Sequence, residues 1–413
     1  MRKVLVILLI ALLAASVFAK IKLTFWTMNL KPRFTDYVQG IIDAYQKTHP
    51  DVEIVWEDVD WSVLIQKLLA AVAAGNPPDV VNLQMVWTLD MARKGVLLPV
   101  NELLPREVLA KYFPAMLNGI SSEGKIYGLP WYSAAMVSFY NKEIFEAAGL
   151  DPKYPPRTWD EALAYSIIIK QKTGKYGILP QLFQTPTAMF EMAGLPVLTK
   201  DRKKAAFDTW EHAQVLNKWA MMYKMGYLPK EMVEGGEWLK ATELYQSGEL
   251  AILLEGPNFV FRVKDNAPDV YNKSDVAPAL LGRSQLLGLW YATLNIVKGS
   301  KHPKEAAEFA AFVSNEVNEL KFCQLAGIFP TRKTVLDHPF FSKDDGTFET
   351  KIRLTAVKSL KAATVFKYDI PHKQELFDKL RETLISVFLG EKEPYKALKE
   401  CAQYWNEKLA EGE

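Results

Sequence analysis

The chain has 413 residues, 49% hydrophobic and 24% charged, with a formal net charge of +2. This length and apolar share exclude a disordered chain and suffice for two domains with buried cores. The near-zero charge removes any electrostatic case for nucleic acid or an anionic membrane as partner.

Arg2 and Lys3 precede an apolar run from Val4 to Ala15, and Val17-Phe18-Ala19 places small residues at cleavage positions. Residues 1–19 therefore read as a secretory signal peptide; a membrane anchor needs about twenty apolar residues and a charged stop. Loss of this leader removes two of the 50 basic residues and balances the 48 acidic ones. Cys323 and Cys401 are the only cysteines, and neither stands at the end of the leader where a lipid would be attached. A soluble mature protein follows. An oxidising compartment would permit a disulfide between the two, but their apolar helical surroundings fit buried thiols equally well.

After the leader, strand and helix patterns alternate. "KIKLTFW" reads as a strand; Phe34, Val38, Ile41 and Tyr45 recur at helical spacing; Val52, Ile54 and Trp56 alternate as in a strand. "WSVLIQKLLAAVAAG" is helical with Gly75 as its C-terminal cap, and "PPDVVNL" is a short buried strand. The order predicts an α/β fold, a doubly wound and mainly parallel sheet with helices on both faces. Ligands of such sheets gather at the carboxyl ends of the strands. Trp26, Thr27 and Asn29 follow the first strand, Asp58, Asp60 and Trp61 the second, and Asn82, Gln84 and Trp87 the third. The indoles among them fit either a ligand surface or core packing.

A second α/β segment follows Met136. "PPRTWDEALAYSIIIK" carries Thr158 and Glu161 at capping-box spacing. "KATELYQSGELAILLEGPN" reads as helix, turn and strand, ended by a Gly256-Pro257 break that exposes Asn258 and Phe259. From Leu286, "LLGLWYATLNIVKGS" is strand-like, "HPKEAAEFAAFVSNEVNELKFCQLAG" one long helix and "IFPTR" an extended exit; the tail from about Asp337 is helical. Extended passages near Trp131, Leu286 and Pro330 are candidate crossings between lobes.

Catalytic and metal signatures are missing: no Gly-rich phosphate loop, no G-x-S-x-G, no H-E-x-x-H, no C-x-x-C, and five scattered histidines. "KDDGTFE" has acidic density but neither the alternating ligands nor the distal Glu of a calcium loop, and reads as a solvated turn. A secreted glycosidase needs only two opposed carboxylates, for which Asp58 with Asp60, or Glu255, could be proposed.

Seven passages in order carry a family resemblance. "LTFW", "AAGNPPDVVNL", "RKGVLLPV", "GKIYGLPWY…FYNKEIFEAAGLDP…PRTWDEAL", "YQSGELAILLEGPN", "GLWYATLNIVKGSKHPKEAAEFAAFV" and "AGIFPTR" resemble the extracellular solute-binding proteins of ABC importers, the group that includes the maltose-binding protein. That resemblance implies a two-lobed periplasmic-binding-protein fold, each lobe α/β, with three crossings and ligand held between lobes. The N-terminal lobe would combine 20–131 with 286–329, and the C-terminal lobe 132–285 with 330–413.

It also implies a non-enzymatic periplasmic monomer without cofactor or metal, whose partners are a ligand and membrane permease subunits. The residues expected at the site are Trp26, Asn29, Asp60, Trp61, Gln84, Trp87, Trp131, Tyr132, Phe183, Gln184, Asn258, Trp290, Arg332 and Phe377. Trp26, Trp61, Trp131, Trp290 and Phe377 would stack on or wall in a sugar, while Asn29, Asp60, Gln84, Gln184, Asn258 and Arg332 would pair with hydroxyls. Polyamine, glycerol phosphodiester and iron binders share the family; many aromatics with few charges favour a neutral oligosaccharide.

Overall fold

A computed structural model describes residues 20–411. The leader at 1–19 lies outside the described residues. The chain falls into two compact units, one made of residues up to Trp131 with Ala292–Leu320, the other of Tyr132–Tyr291 with Lys321–Glu413.

In the first unit the strand Ile21–Met28 lies centrally, parallel to Val52–Val59 from Ile21 opposite Val52 to Met28 opposite Val59, and parallel to Val80–Gln84 on its other side. Trp290–Val297 pairs antiparallel with Val80–Gln84 and with Leu97–Leu98, so it is the reversed strand in the sheet order Val52–Val59, Ile21–Met28, Val80–Gln84, Trp290–Val297, Leu97–Leu98. Phe25 to Met28 are buried on both faces, as a central strand covered by helices requires. The helix Thr35–Thr48 buries Tyr37, Val38, Ile41, Ile42 and Tyr45. Tyr45 meets Phe309 edge-on at 5.0 Å.

A buried polar network crosses this sheet. Asn82 Nδ2 donates to the Thr293 carbonyl at 3.1 Å, Thr293 Oγ1 donates to Asn295 Oδ1 at 2.7 Å, and Asn295 Nδ2 donates to the Tyr127 carbonyl at 2.6 Å. Asn295 approaches so closely that a Cβ on Gly128 would stand 2.5 Å from its amide nitrogen. The Asn295 end of this network ties down the segment leading to Trp131, while Asn82 Oδ1 has no hydrogen-bond partner among the described residues.

In the second unit the sheet order is Ser274–Pro278, Val137–Asn141, Leu250–Glu255, Tyr176–Ile178. Val137–Asn141 is antiparallel to both neighbours, and Tyr176–Ile178 is parallel to Leu250–Glu255. Each sheet is thus mixed rather than mainly parallel as the sequence pattern predicts: Trp290–Val297 in the first and Val137–Asn141 in the second run against the two neighbours named for each. The helix Trp159–Thr173 opens with the full capping box of Thr158 and Glu161 and closes on left-handed Gly174.

Two elements differ from the sequence pattern. The long helix after His302 is two, Pro303–Val313 and Glu316–Ala326. Asn318 Nδ2 donates to the Phe312 carbonyl at 2.8 Å, and Asn315 Oδ1 accepts from the Asn318 amide at 2.9 Å, so side chains take over from the helical ladder at the break. The tail is helical at Phe348–Ser359, Lys373–Leu389 and Pro394–Glu411, but 363–372 is not, with Ala363–Thr364 a short strand parallel to Leu287–Gly288. Pro371 and left-handed His372 keep helix out of this stretch until Lys373. Cys323 and Cys401 are both buried thiols rather than a disulfide.

Candidate functional site

In the first unit, the turns after the strands Ile21–Met28 and Val52–Val59 are stitched together by side chains. Asn29 has a left-handed backbone, φ +50°, which Asn tolerates better than most residues. Its Nδ2 donates to Asp60 Oδ2 at 3.1 Å, and its Oδ1 accepts from the Trp61 amide at 2.7 Å. Asp60 Oδ1 accepts from the Ser62 amide at 2.9 Å and from the Ser62 hydroxyl. The Ser62 and Asn29 bonds hold the Asp60 carboxyl below its ordinary value, so it is a carboxylate at neutral pH. Trp61, fixed by its amide, leaves its indole 57% exposed. Asn29, Asp60 and Trp61 are one constellation: a fixed anion and an open aromatic face.

Asp58 has another task. It accepts from Thr27 Oγ1 at 2.6 Å and from the Leu30 and Lys31 amides at 3.0 and 2.9 Å. Its acceptor capacity is spent on the turn. Asp60, held below its ordinary value, lacks the raised pKa that a glycosidase acid needs at neutral pH.

Trp26 is buried within the first strand, with Lys67 Nζ 4.6 Å from its ring centroid. Its Nε1 is buried with no hydrogen-bond partner among the described residues. Gln84 ends the third strand and Trp87 sits on the helix Met85–Arg93, both half-buried. Trp131 is fully buried, 6.4 Å from the Phe25 ring. Packing is therefore the first thing its truncation disturbs.

In the second unit, half-buried Tyr132 lies 5.8 Å from Trp290 and 5.1 Å from Phe322, making a small aromatic wall. Phe183 is buried edge-on to Phe388 at 5.0 Å, while neighbouring Gln184 is exposed. Asn258 is exposed beside the Gly256-Pro257 break, at the start of the helix Phe259–Asn266. Arg332 is buried at the head of Lys333–Leu336. Phe377 is half-buried between Tyr368 at 5.1 Å and Trp405 at 6.0 Å.

Several residues that sequence patterns do not single out also shape these surfaces. Glu237 is buried and accepts from the Phe183 amide at 3.0 Å and the Gln184 amide at 2.7 Å. Arg381 Nε donates to the Phe183 carbonyl at 2.6 Å. Trp238 is 38% exposed and donates its indole N–H to Glu255, which also accepts from the Gly256 amide at 2.8 Å. Burial pushes the Glu255 carboxyl up. Tyr368 donates to Glu191, whose carboxyl burial also raises. The one sequence signal for Glu237 is its place behind Gly235-Gly236 at the start of a helix, where an acidic side chain suits the helix dipole.

Among the described residues no group of three or more His, Cys, Asp or Glu could hold a metal ion, and no helix is long and apolar enough to cross a membrane.

The model of the bacterial extracellular solute-binding proteins matches residues 31–319. A Synechococcus sp. MITs9220 protein, described as an oligosaccharide periplasmic-binding protein, superimposes with a TM-score of 0.85 at 30% identity over 94% of this chain and 99% of its own. The arabinooligosaccharide-binding protein of Halalkalibacterium halodurans is 26% identical over 79% of this chain and 75% of its own. The sn-glycerol-3-phosphate-binding periplasmic protein of Pectobacterium atrosepticum is likewise 26% identical, over 96% of this chain and 93% of its own.

Proposed function

Because the chain belongs to the bacterial extracellular solute-binding proteins, we propose that its solute is a carbohydrate, an oligosaccharide, which it hands to the permease subunits of an ABC importer. The observation that carries this reading is the Asn29–Asp60–Trp61 constellation: an open indole fixed beside a carboxylate. Sugar rings offer apolar C–H faces to an indole and hydroxyl donors to a carboxylate. The Tyr132–Trp290 wall, Gln184 and Asn258 supply the same two chemistries in the second unit.

The reading gives ligand contacts to the exposed and half-buried residues named from sequence, Asn29, Asp60, Trp61, Gln84, Trp87, Tyr132, Gln184, Asn258, Trp290 and Phe377. It gives buried Trp26, Trp131, Phe183 and Arg332 a supporting place behind them, and a catalytic role to none. Micromolar capture corresponds to about −8 kcal/mol, within reach of a few ring contacts and charge-assisted hydrogen bonds. The leader at 1–19 and a periplasmic, monomeric mature chain belong to the same proposal. Lobe closure on the sugar would be the signal read by the permease.

A glycerol phosphate is the competing solute, because one relative binds it by name. Phosphate asks for Lys or Arg at the contact, and the exposed first-unit constellation presents a carboxylate instead. A thermal-shift screen of the mature chain against arabino- and maltooligosaccharides, sn-glycerol 3-phosphate and spermidine decides between them, since a ligand of the folded state raises its midpoint. An oligosaccharide shift is expected; a shift with glycerol phosphate or spermidine alone refutes the carbohydrate reading. Release of shorter sugars during incubation, abolished by Asp60→Asn or Glu255→Gln, would establish an enzyme instead.

A further inference from the structure

The segment between the strand Tyr176–Ile178 and the helix Ala188–Ala193 has no regular structure at 182–184, so its backbone groups need partners from elsewhere. They find two buried or half-buried charges from separate helices. Glu237, first residue of Glu237–Gln246 and 3% exposed, accepts the Phe183 amide on both carboxylate oxygens at 3.1 and 3.0 Å and the Gln184 amide at 2.7 Å. Arg381, on Lys373–Leu389, donates from Nε to the Phe183 carbonyl at 2.6 Å and pairs through Nη1 with Asp378. The peptide of Phe183 is gripped by an anion at its N–H and a cation at its C=O. Phe183 fills the core against Phe388, leaving Gln184 as the exposed side chain.

A buried carboxylate costs several kcal/mol in desolvation unless it is fully bonded, and holding an ordinary surface loop does not call for one. We propose that Glu237 and Arg381 are positioning residues that hold the loop at 182–184, and with it the Gln184 amide, in ligand-binding geometry. The inference rests on the carbohydrate reading above and adds to it a reason for the buried charge.

The pH response separates positioning from mere support. Burial is the largest influence on Glu237 and pushes its carboxyl up to about 7, against the Phe183, Gln184 and Leu182 amides and the Arg381 charge, which pull it down. The turn Lys230–Glu234 packed on its helix adds Lys230, Glu231 and Glu234, and the strand Leu250–Glu255 adds Glu255, which is bonded to Trp238. A carboxyl raised on folding contributes stability below its ordinary value, and that contribution is lost as pH rises through about 7. The grip on the amides runs the other way, because it needs the carboxylate. On acidification through this window, Glu237's share of stability grows while ligand affinity falls.

The test uses the mature chain and its isosteric variant Glu237→Gln. Amide hydrogen exchange at Phe183 and Gln184, without ligand and at one pH, is expected to be about tenfold faster in the variant, the equivalent of one lost charge-assisted hydrogen bond. Affinity for the tightest binder among maltotriose, arabinotriose and sn-glycerol 3-phosphate is expected to fall about tenfold, and its dependence on pH near 7 to disappear. Gln184→Ala is expected to lose affinity with exchange unchanged. Arg381→Lys replaces Glu237→Gln if that variant does not fold, with the same expectations for exchange and affinity. Unchanged exchange overturns the clamp; faster exchange with unchanged affinity overturns its role in binding. If the unmodified chain binds none of the three probes, the carbohydrate reading itself fails, and exchange alone then decides whether the clamp exists.

Discussion

Two loops with the same proposed task are built in opposite ways. In the first unit Asn29, Asp60 and Ser62 hold the Trp61 turn through bonds between exposed groups. In the second, Phe183 and Gln184 are held by buried Glu237 and half-buried Arg381. Exposed bonds exchange readily with water and are worth little to stability. A buried charge bonded to a loop is costly to disturb, because removing one partner leaves the other unsatisfied. Substitutions at the exposed groups of the first loop are expected to spare the fold, whereas loss of Phe183 or Glu237 behind the second is expected to harm it.

The largest expected effect is at the buried loop. Phe183→Ala removes a ring packed against Phe388 and should cost about 3–5 kcal/mol of unfolding free energy, with binding lost alongside; urea denaturation reads this directly. Trp131→Ala belongs with it. Sequence alone expects the Trp131 ring to wall in a sugar, but a ring with no exposed surface makes a stability loss, again about 3–5 kcal/mol, the first expectation.

Trp61→Ala is the intermediate case: the ring is 57% exposed, so the denaturation midpoint should stay in place. Sugar affinity should drop about tenfold, near 1.4 kcal/mol. An equal loss of stability would erase the contrast between the loops.

The smallest effect, and the sharpest on the contrast, is pH. Asp60 is held below the ordinary carboxylate value by its Ser62 and Asn29 bonds, so its contribution is present above that value and lost only as pH falls through its lower folded one. The Glu237 carboxyl sits at about 7. Sugar affinity measured from about pH 8 to 5 should therefore respond to Glu237→Gln and be indifferent to Asp60→Asn in slope, though Asp60→Asn lowers it throughout.

The two constructions also explain what the sequence discloses. The first turn is legible because its residues follow strands whose alternation is plain, and the carboxyl-end rule then names Asn29, Asp60 and Trp61 together. The three parallel strands of the first unit and the Thr158–Glu161 capping box are legible for the same reason, being local patterns. Glu237 and Arg381 lie 53 and 197 residues from Gln184 along the chain, and no local pattern links them. The break at Ser314-Asn315 escapes a periodicity reading because apolar spacing continues across it while Asn315 and Asn318 redirect the backbone. The short strand Ala363–Thr364 is held by pairing with Leu287–Gly288, a distant segment.

We propose that this solute-binding protein captures a carbohydrate through exposed aromatic and polar residues fixed at its loops. Calorimetric titration of the mature chain with arabino- and maltooligosaccharides, beside the Trp61→Ala variant, tests it most directly. Saturable binding, micromolar or tighter, of one oligosaccharide class is expected, weakened about tenfold by Trp61→Ala at unchanged stability. Heat from sn-glycerol 3-phosphate or spermidine and none from any sugar would contradict it.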